Sequence, residues 1–357
     1  MEKYFFAELS GTPYEIGYQH GSLAKKYVMT SLDNYKRMFL DHSGVYWEDA
    51  KRVAPKYIPC IMDYDPDLIE EMRGVADGAG VDFEDILTLN ARSEVLMTMK
   101  VGEAKEIHDG CTNVSVCSTR SIDGHAYLGH NWDWRADQMA SIVTFKIKQQ
   151  NKPDILMVTE GGIIGKFGVN ECGVGVAMNA LTTPCDANGI PLHIVLRGIL
   201  NSTTLTNGLM ASVAYPNACP ANYVMGTGDG VVFDLERMPD DYDVIMPEKG
   251  VIVHTNHMMG VKLKMKYEDT IIGLTPSSYL RYARAKGLVE DCGKIGPDDI
   301  KRILSDRVDA PTCICAHPDN DPATICTVFC MILDLTAKTM ELSPGGGDQD
   351  AFYKLAL

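Results

Sequence analysis

The sequence predicts an α+β layered domain, antiparallel sheets covered by helices, and three observations predict it. The first hundred residues read as helical, and after Gly102 the texture turns to short β-rich runs. The chain then alternates blocks of helix and strand, with many hairpins and no βαβαβ order that would build a parallel sheet. With 357 residues, 45% hydrophobic and 23% charged, the chain can bury a sizeable core. The length allows two domains or one large layered one.

A short apolar run, Tyr4 to Leu9, precedes Gly11-Thr12-Pro13, where Thr12 is a candidate N-cap and Pro13 sits in the first helical turn. From Tyr14 to about Leu40, Ile16, Leu23 and Tyr27 keep helical spacing, and Gly17 and Gly21 are the only marked breakers. Helices follow near 47–62 and 66–79, and a fourth runs from Asp82 to about Val95. Strands are predicted at Thr112–Cys117, His125–His130, Ser141–Lys148, Ile155–Thr159, Lys166–Val169 and Val174–Asn179, separated by turns such as Asp123-Gly124. A helical pair is expected over 191–213, with strands near 221–226, 230–236, 243–246 and 250–254. Helices at 276–289 and 297–306 and strands at 324–334 and 338–342 complete the pattern, and no internal repeat is visible.

Charge narrows the function classes. Thirty-three Lys+Arg against 48 Asp+Glu give a formal charge of −15, the wrong sign for nucleic acid or an anionic membrane surface. No segment approaches the roughly 18–20 apolar residues of a membrane span. The N-terminus lacks the basic-then-apolar order of a signal peptide, so a cytoplasmic location is expected. In that compartment the 11 cysteines are buried small hydrophobes, metal ligands or nucleophiles rather than disulfides. Cys313, Cys315, Cys326 and Cys330 lack common zinc spacing, and His254 and His257 lack a third ligand, so no metal or cofactor is expected. The acids Asp63, Asp65, Asp67, Glu70 and Glu71 read as a solvated helix face.

The sharpest feature lies where helix gives way to strand: His108-Asp109-Gly110-Cys111-Thr112-Asn113. Gly110 permits a strained or left-handed backbone and close access to its carbonyl. The Cys111 thiol can attack that carbonyl through a five-membered ring, moving the acyl group from N to S. Water then releases a chain that begins with a free Cys111 amine, whose pKa of roughly 7.7–8.0 suits a general base beside a thiol of roughly 8.5. Read alone, Gly-Cys is more simply a buried strand dipeptide.

The surrounding motifs are more specific. Gly11-Thr12-Pro13-Tyr14-Glu15-Ile16-Gly17-Tyr18-Gln19-His20-Gly21, Asn90-Ala91-Arg92-Ser93-Glu94, His108–Thr112, Gly129-His130-Asn131-Trp132-Asp133-Trp134, Thr159-Glu160-Gly161-Gly162-Ile163-Ile164-Gly165-Lys166 and His254-Thr255-Asn256-His257 occur in that order. The chain thereby resembles, from Gly11 to near Asp334, the acyl-coenzyme A:6-aminopenicillanic acid acyltransferase (isopenicillin-N acyltransferase, peptidase C45-like) family of N-terminal-nucleophile (Ntn) hydrolases.

The resemblance implies a four-layer αββα sandwich. It implies one domain over 1–357, self-cleaved at Gly110–Cys111 into a mostly helical 1–110 and a 111–357 chain led by the nucleophile. By resemblance, Asp133 binds or orients the Cys111 ammonium and Asn256 is the oxyanion-hole asparagine. Thr112, Asn131 and His317 are candidate substrate contacts. Two positions depart from the family pattern: Ala316 stands where an arginine follows an Ile-Cys pair, and Pro220 where a serine is common.

The expected activity is that of an amidohydrolase or acyltransferase acting on a small N-acyl compound through a thioester acyl-enzyme. Its partners would be that substrate and its own cleaved 1–110 chain, with no nucleic acid or membrane; the sequence does not fix the oligomeric state. The alternatives are an acyl-CoA-dependent N-acyltransferase and, in another class, an uncleaved non-catalytic binding protein on the same fold. No Gly-rich phosphate loop is visible, which favours hydrolysis over transfer from acyl-CoA.

Overall fold

The computed structural model describes residues 4–99, 110–316, 325–346 and 351–357. Strand β1 (Phe5–Gly11) is followed by helices α1 (Pro13–Leu23), α2 (Lys25–Ser43), α3 (Trp47–Val53), α4 (Ile58–Tyr64), α5 (Asp67–Ala79), α6 (Phe83–Asn90) and α7 (Arg92–Thr98). Thr12 caps α1 as expected: its Oγ1 accepts from the Glu15 N–H at 3.3 Å, while Glu15 Oε2 accepts from the Thr12 N–H at 2.8 Å. The single helix read over 14–40 is in fact two, divided at Ala24, whose φ of −102° and ψ of 21° leave the helical range. Ala carries no breaker signal, so the sequence could not show it.

Gly17 and Gly21, read as weak points, are a contact surface. A Cβ on Gly17 would stand 1.9 Å from the Glu71 carbonyl oxygen, and one on Gly21 would stand 2.2 Å from that of Val75. Gly74 and Gly78 of α5 face α1 in the same way. Bare backbone on both helices lets α1 and α5 touch main chain to main chain, which no larger residue permits.

Strands β2 (Gly110–Val116), β3 (Tyr127–Arg135), β4 (Ile142–Gln149), β5 (Ile155–Glu160), β6 (Phe167–Asn170) and β7 (Gly175–Ala180) lead to helices α8 (Leu192–Leu200) and α9 (Leu205–Val213). After them come β8 (Ala221–Gly226), β9 (Val232–Arg237), β10 (Tyr242–Ile245), β11 (Val251–His254), α10 (Val261–Lys266), α11 (Ile271–Leu274), α12 (Ser277–Glu290) and α13 (Pro297–Leu304). The described chain closes with β12 (Ile325–Asp334), β13 (Thr339–Pro344) and β14 (Tyr353–Ala356). The short elements β1, α10, α11 and β14 are those that the sequence pattern did not reveal.

Eight strands form one sheet in the order β1-β4-β5-β6-β7-β8-β9-β10, and six form another, β11-β2-β3-β12-β13-β14. The sheets face each other, with β2 and β3 against β7 and β8. Helices α1, α2 and α8 cover the larger sheet, and α12 and α13 cover the smaller one. The layers therefore run helix, sheet, sheet, helix, the αββα order. One apolar cluster joins the early helices to both sheets through residues such as Leu32, Ile86, Val143, Val176 and Phe329. Among the described residues, no helix is long and apolar enough to cross a membrane.

Two sequence expectations change here. Gly129-His130-Asn131-Trp132-Asp133-Trp134 is not the end of a strand but the middle of β3, paired with β2 on one side and β12 on the other, and buried throughout. The early acids are not one solvated face. Asp63, Asp67 and Glu70 are exposed, but Glu71 is buried and makes a bidentate pair with Arg197 of α8, both N–O distances being 2.9 Å. Burial lifts the Glu71 carboxyl above its ordinary value, and the guanidinium opposes that rise.

Candidate active site

Strand β2 begins at Gly110, directly opposite Asp133 of β3. Gly110 is ordinary extended strand and is absent from the left-handed glycines. Its lack of a side chain matters for space instead: a Cβ there would lie 3.0 Å from Asp133 Oδ2. The small residue thus lets a buried carboxylate stand against the Gly110–Cys111 peptide. Asp133 Oδ1 also accepts the Thr327 hydroxyl at 2.6 Å, which fixes the carboxylate on that side.

Cys111 is opposite Trp132. Because side chains alternate along a strand, Cys111 and Trp132 face the larger sheet, while Thr112, Asn131 and Asp133 face α12 and α13. The Cys111 N–H donates to Asn256 Oδ1 at 2.9 Å. Asn256 Nδ2 donates to the Ala180 carbonyl at 3.2 Å, and an amide nitrogen carries a second N–H. The loop after β11 that holds Asn256 is tied to α12, since Ser278 Oγ accepts the Asn256 N–H at 2.9 Å.

The residue that sequence reasoning missed is Arg281 of α12. Its guanidinium is buried and donates to the Cys111 carbonyl (2.6 Å), Thr112 Oγ1 (3.1 Å) and Asn256 Oδ1 (2.9 Å). Two donors converging on Oδ1 set the orientation of the Asn256 amide. In sequence Arg281 is one of two arginines three apart on a helix, and nothing local tells it from Arg284, which pairs at the surface with Asp306.

Two cavities are lined by neighbours of Cys111, the outer by Gly110 and the inner by its cross-strand partner Trp132. The outer one, about 230 Å³, is lined by Gly110, Asp133, Ser277, Arg281, Thr312 and Ala316. The inner one, about 110 Å³, lies between the sheets and includes Arg92, Trp132, Trp134, Lys166, Met178 and Pro220 in its wall. The two departures from the family pattern therefore fall one in each cavity. Ala316 leaves the outer cavity without the expected arginine, and Arg281 brings a guanidinium into it from another element.

Of the predicted site residues, Gly110, Cys111, Thr112, Asp133 and Asn256 come together around one peptide bond. Asn131 shares the Thr112 side of β3, and its Nδ2 bonds the Leu304 and Ile314 carbonyls at 2.8 Å. His317 lies outside the described residues. Cys313, Cys315, Cys326 and Cys330 are packed thiols; burial pushes Cys315 up to about 11 and Cys326 up to about 12. His257 stacks on Tyr279 at 4.2 Å, and burial holds it down to about 4.

His254, next to the Asn256 loop, has acceptors on both ring nitrogens: the Thr255 carbonyl at 2.9 Å and Glu236 Oε1 at 2.9 Å. Two acceptors call for two N–H groups, the imidazolium form. Burial pulls its pKa down, but the Glu236 bond and the Asp234 and Glu236 charges hold it above 6.5. A pKa raised on folding contributes stability below the unfolded value that is lost as pH rises through the folded one. The stability difference between wild type and His254→Gln, measured by urea unfolding, is expected to be largest below pH 6.5 and to shrink steadily as pH rises.

Comparison with known proteins follows the same lines. A family model described as acyl-coenzyme A:6-aminopenicillanic acid acyl-transferase matches residues 120–349. The chain is 28% identical over 330 residues to the acyl-coenzyme A:6-aminopenicillanic-acid-acyltransferase 40 kDa form of Emericella nidulans, covering 91% of this chain and 88% of that protein. It is 19% identical over 366 residues to the β-alanyl-dopamine/carcinine hydrolase of Drosophila melanogaster, covering 93% and 90% of the two chains. Among solved structures, a mutant conjugated bile acid hydrolase from Clostridium perfringens aligns at 13% identity and a TM-score of 0.47, over 69% of this chain and 92% of that one.

Proposed function

Since the chain belongs to the acyl-coenzyme A:6-aminopenicillanic acid acyl-transferase family, we propose that it is a self-processing cysteine amidohydrolase or acyltransferase with Cys111 as its nucleophile. The observation that carries this reading is the pinning of one residue, Cys111, through the peptide groups on both of its sides. Asn256 holds the Cys111 N–H, Arg281 holds the Cys111 carbonyl, and Asp133 stands against Gly110.

In maturation, Cys111 Sγ attacks the Gly110 carbonyl carbon and the C–N bond breaks. The thioester that forms is hydrolysed by water, leaving a Gly110 carboxylate and a free Cys111 amine. Asn256 Oδ1 then accepts from that amine as it accepted from the amide, and Asp133 supplies the nearby negative charge for its ammonium form. In turnover the amine takes the thiol proton while Sγ attacks the substrate carbonyl, and returns it to the departing amine. The second N–H of Asn256 Nδ2 is the oxyanion donor, and Arg281 is a positioning residue that keeps the Asn256 amide turned this way. Water resolves the acyl-enzyme in hydrolysis and an amine resolves it in transfer.

Hydrolysis of a small N-acyl compound is the favoured reaction. The named relatives favour one outcome each: the Emericella protein is called an acyltransferase and the Drosophila protein a hydrolase. Intact-mass measurement decides the maturation step, with masses for residues 1–110 and 111–357 expected. A wild-type preparation that is fully active as one uncut chain would sink it. Supplying acyl-CoA and 6-aminopenicillanic acid separates the two reactions, since amide synthesis faster than N-acyl amide hydrolysis would reverse the preference. The third class, a non-catalytic binding protein, would be favoured by a Cys111→Ala variant with unchanged behaviour.

A further inference from the structure

We infer that the inner cavity is an acyl-group site built for a short acyl chain ending in a carboxylate, so that the favoured substrates are ω-carboxyacyl amides. This deepens the reading above and rests on Cys111 as the nucleophile. The argument begins with the position of the cavity. Trp132 is the cross-strand partner of Cys111 and forms part of the cavity wall. Ala180, whose carbonyl accepts from Asn256 Nδ2, is another part of it. An acyl group on Cys111 Sγ, on the face of β2 turned toward the larger sheet, is therefore directed to this space.

A row of donors crosses the cavity. Lys166 Nζ lies 3.2 Å from the Trp132 ring centre, the Trp132 and Trp134 rings stack at 6.1 Å, and the Arg92 guanidinium carbon sits 5.7 Å from the Trp134 ring centre. Two of these residues have buried donors without a partner, Trp134 Nε1 and Arg92 Nε. A buried, unmet N–H is costly, so two such donors in one wall mark a place for an acceptor.

The local charge says which acceptor. Glu160 accepts from Tyr35 (2.5 Å), Lys166 (2.7 Å) and Arg92 (3.3 Å), one carboxylate shared by two cations. Burial would raise Glu160, but the Lys166 and Arg92 charges bring it down to about 2, so it is ionised. Burial lowers Lys166 to about 8, which still leaves it largely charged at neutral pH. His193 faces the same group; it bonds Arg92 and the Gly165 carbonyl, and burial holds it well below 6.5, in its neutral form. Glu94, beside the cavity, accepts from Leu192 N–H and the Cys219 thiol, and burial raises its pKa. The residues lining the cavity include the cations Arg92 and Lys166 and no carboxylate, so a ligand carboxylate there offers both a negative charge and two acceptor oxygens.

Size limits the rest of the group. A cavity of about 110 Å³ is smaller than the roughly 150 Å³ that encloses benzene. It takes two or three methylenes and a carboxylate, with Phe167, Met178, Leu192 and Leu196 against the methylenes. Reaction breaks the amide C–N bond, releases the amine, and after water attacks the thioester returns a dicarboxylic acid.

The test compares succinyl and glutaryl anilides with their neutral counterparts, butanoyl and pentanoyl anilides. The carboxylated amides are expected to exceed the neutral ones at least tenfold in kcat/KM. Trp134→Phe, which keeps an aromatic side chain in the wall and removes the N–H, should reduce that ratio about tenfold, on the scale of one hydrogen bond to a charged group. Equal or better cleavage of the neutral amides overturns the inference. A second measurement does not need catalysis: Trp fluorescence of Cys111→Ala titrated with succinate and with butanoate. Quenching by succinate at much lower concentration supports the site even if no amide is turned over, an outcome that would count against the nucleophile reading alone. Equal quenching by both acids overturns the site.

Discussion

Cys111→Ala is expected to remain a single 357-residue chain and to lose turnover by about 10⁵-fold or more, the scale on which removal of a hydrolase nucleophile acts. Both effects come from one atom. Without Sγ there is no group to attack the Gly110 carbonyl, so the peptide bond stays intact and the α-amine is never freed. Restoring a pre-cut chain would therefore not rescue activity, because the thiol is needed again for the substrate. Cys111→Ser keeps an attacking oxygen but loses the acidity and softness of sulfur. It is expected to cut slowly and to turn over far less than wild type. Intact mass reads the first effect and amide hydrolysis the second. A Cys111→Ala protein found in two pieces would mean that another group makes the cut.

The second large effect concerns stability. Arg197→Met leaves Glu71 buried opposite no cation, and it is expected to cost about 3–5 kcal/mol, as for one broken partner of a buried ion pair. Arg197 also donates to the Ile164 carbonyl (2.7 Å) and Gln149 Oε1 (3.1 Å), so those acceptors lose a partner as well. Replacing both residues, Glu71→Leu with Arg197→Met, removes the stranded charge and should recover much of the loss. Urea unfolding of the two single variants and the double variant gives the coupling. A double variant no more stable than Arg197→Met would show that the carboxylate was never the source of the cost.

The parts of the site legible in sequence are those whose chemistry is local. Gly110 and Cys111 must be adjacent for the N-to-S shift, and Asp133 and Asn256 are named because the short motifs around them resemble those of a known family. Arg281 could not be named before the fold was known, because its meaning comes from burial across the chain, 170 positions from the carbonyl it holds. Glu71 failed for the same reason: on its own helix it is one acid among several, and only Arg197 of α8 tells it apart. The strands and long helices followed from periodicity, and most boundaries fall within a few residues. The split at Ala24 and the bare-backbone crossing of α1 and α5 did not, since both are set by a neighbouring element rather than by the segment itself. Net charge says nothing of what joins the two parts. Residues 1–110 carry 12 basic and 20 acidic residues (−8), and 111–357 carry 21 and 28 (−7), which suggests mutual repulsion. The net figures hide the buried pairs Glu71–Arg197 and Arg92–Glu160, which join the two parts with opposite charges.

Strand β1 adds a temporal dimension to the proposed cut. All seven of its residues, Phe5 to Gly11, are in parallel register with Val143 to Gln149 of β4, so the first piece is woven into the second piece's sheet. While the chain is whole, that pairing closes a loop and its entropy cost is that of one molecule finding itself. Once the bond at Gly110 is gone, the same pairing becomes a meeting of two molecules, whose likelihood falls with dilution. A protein cut in this way would be a record of an assembly made only once: it would persist because it was folded before it was cut, and its lifetime would be set by how slowly it opens rather than by how readily it re-forms.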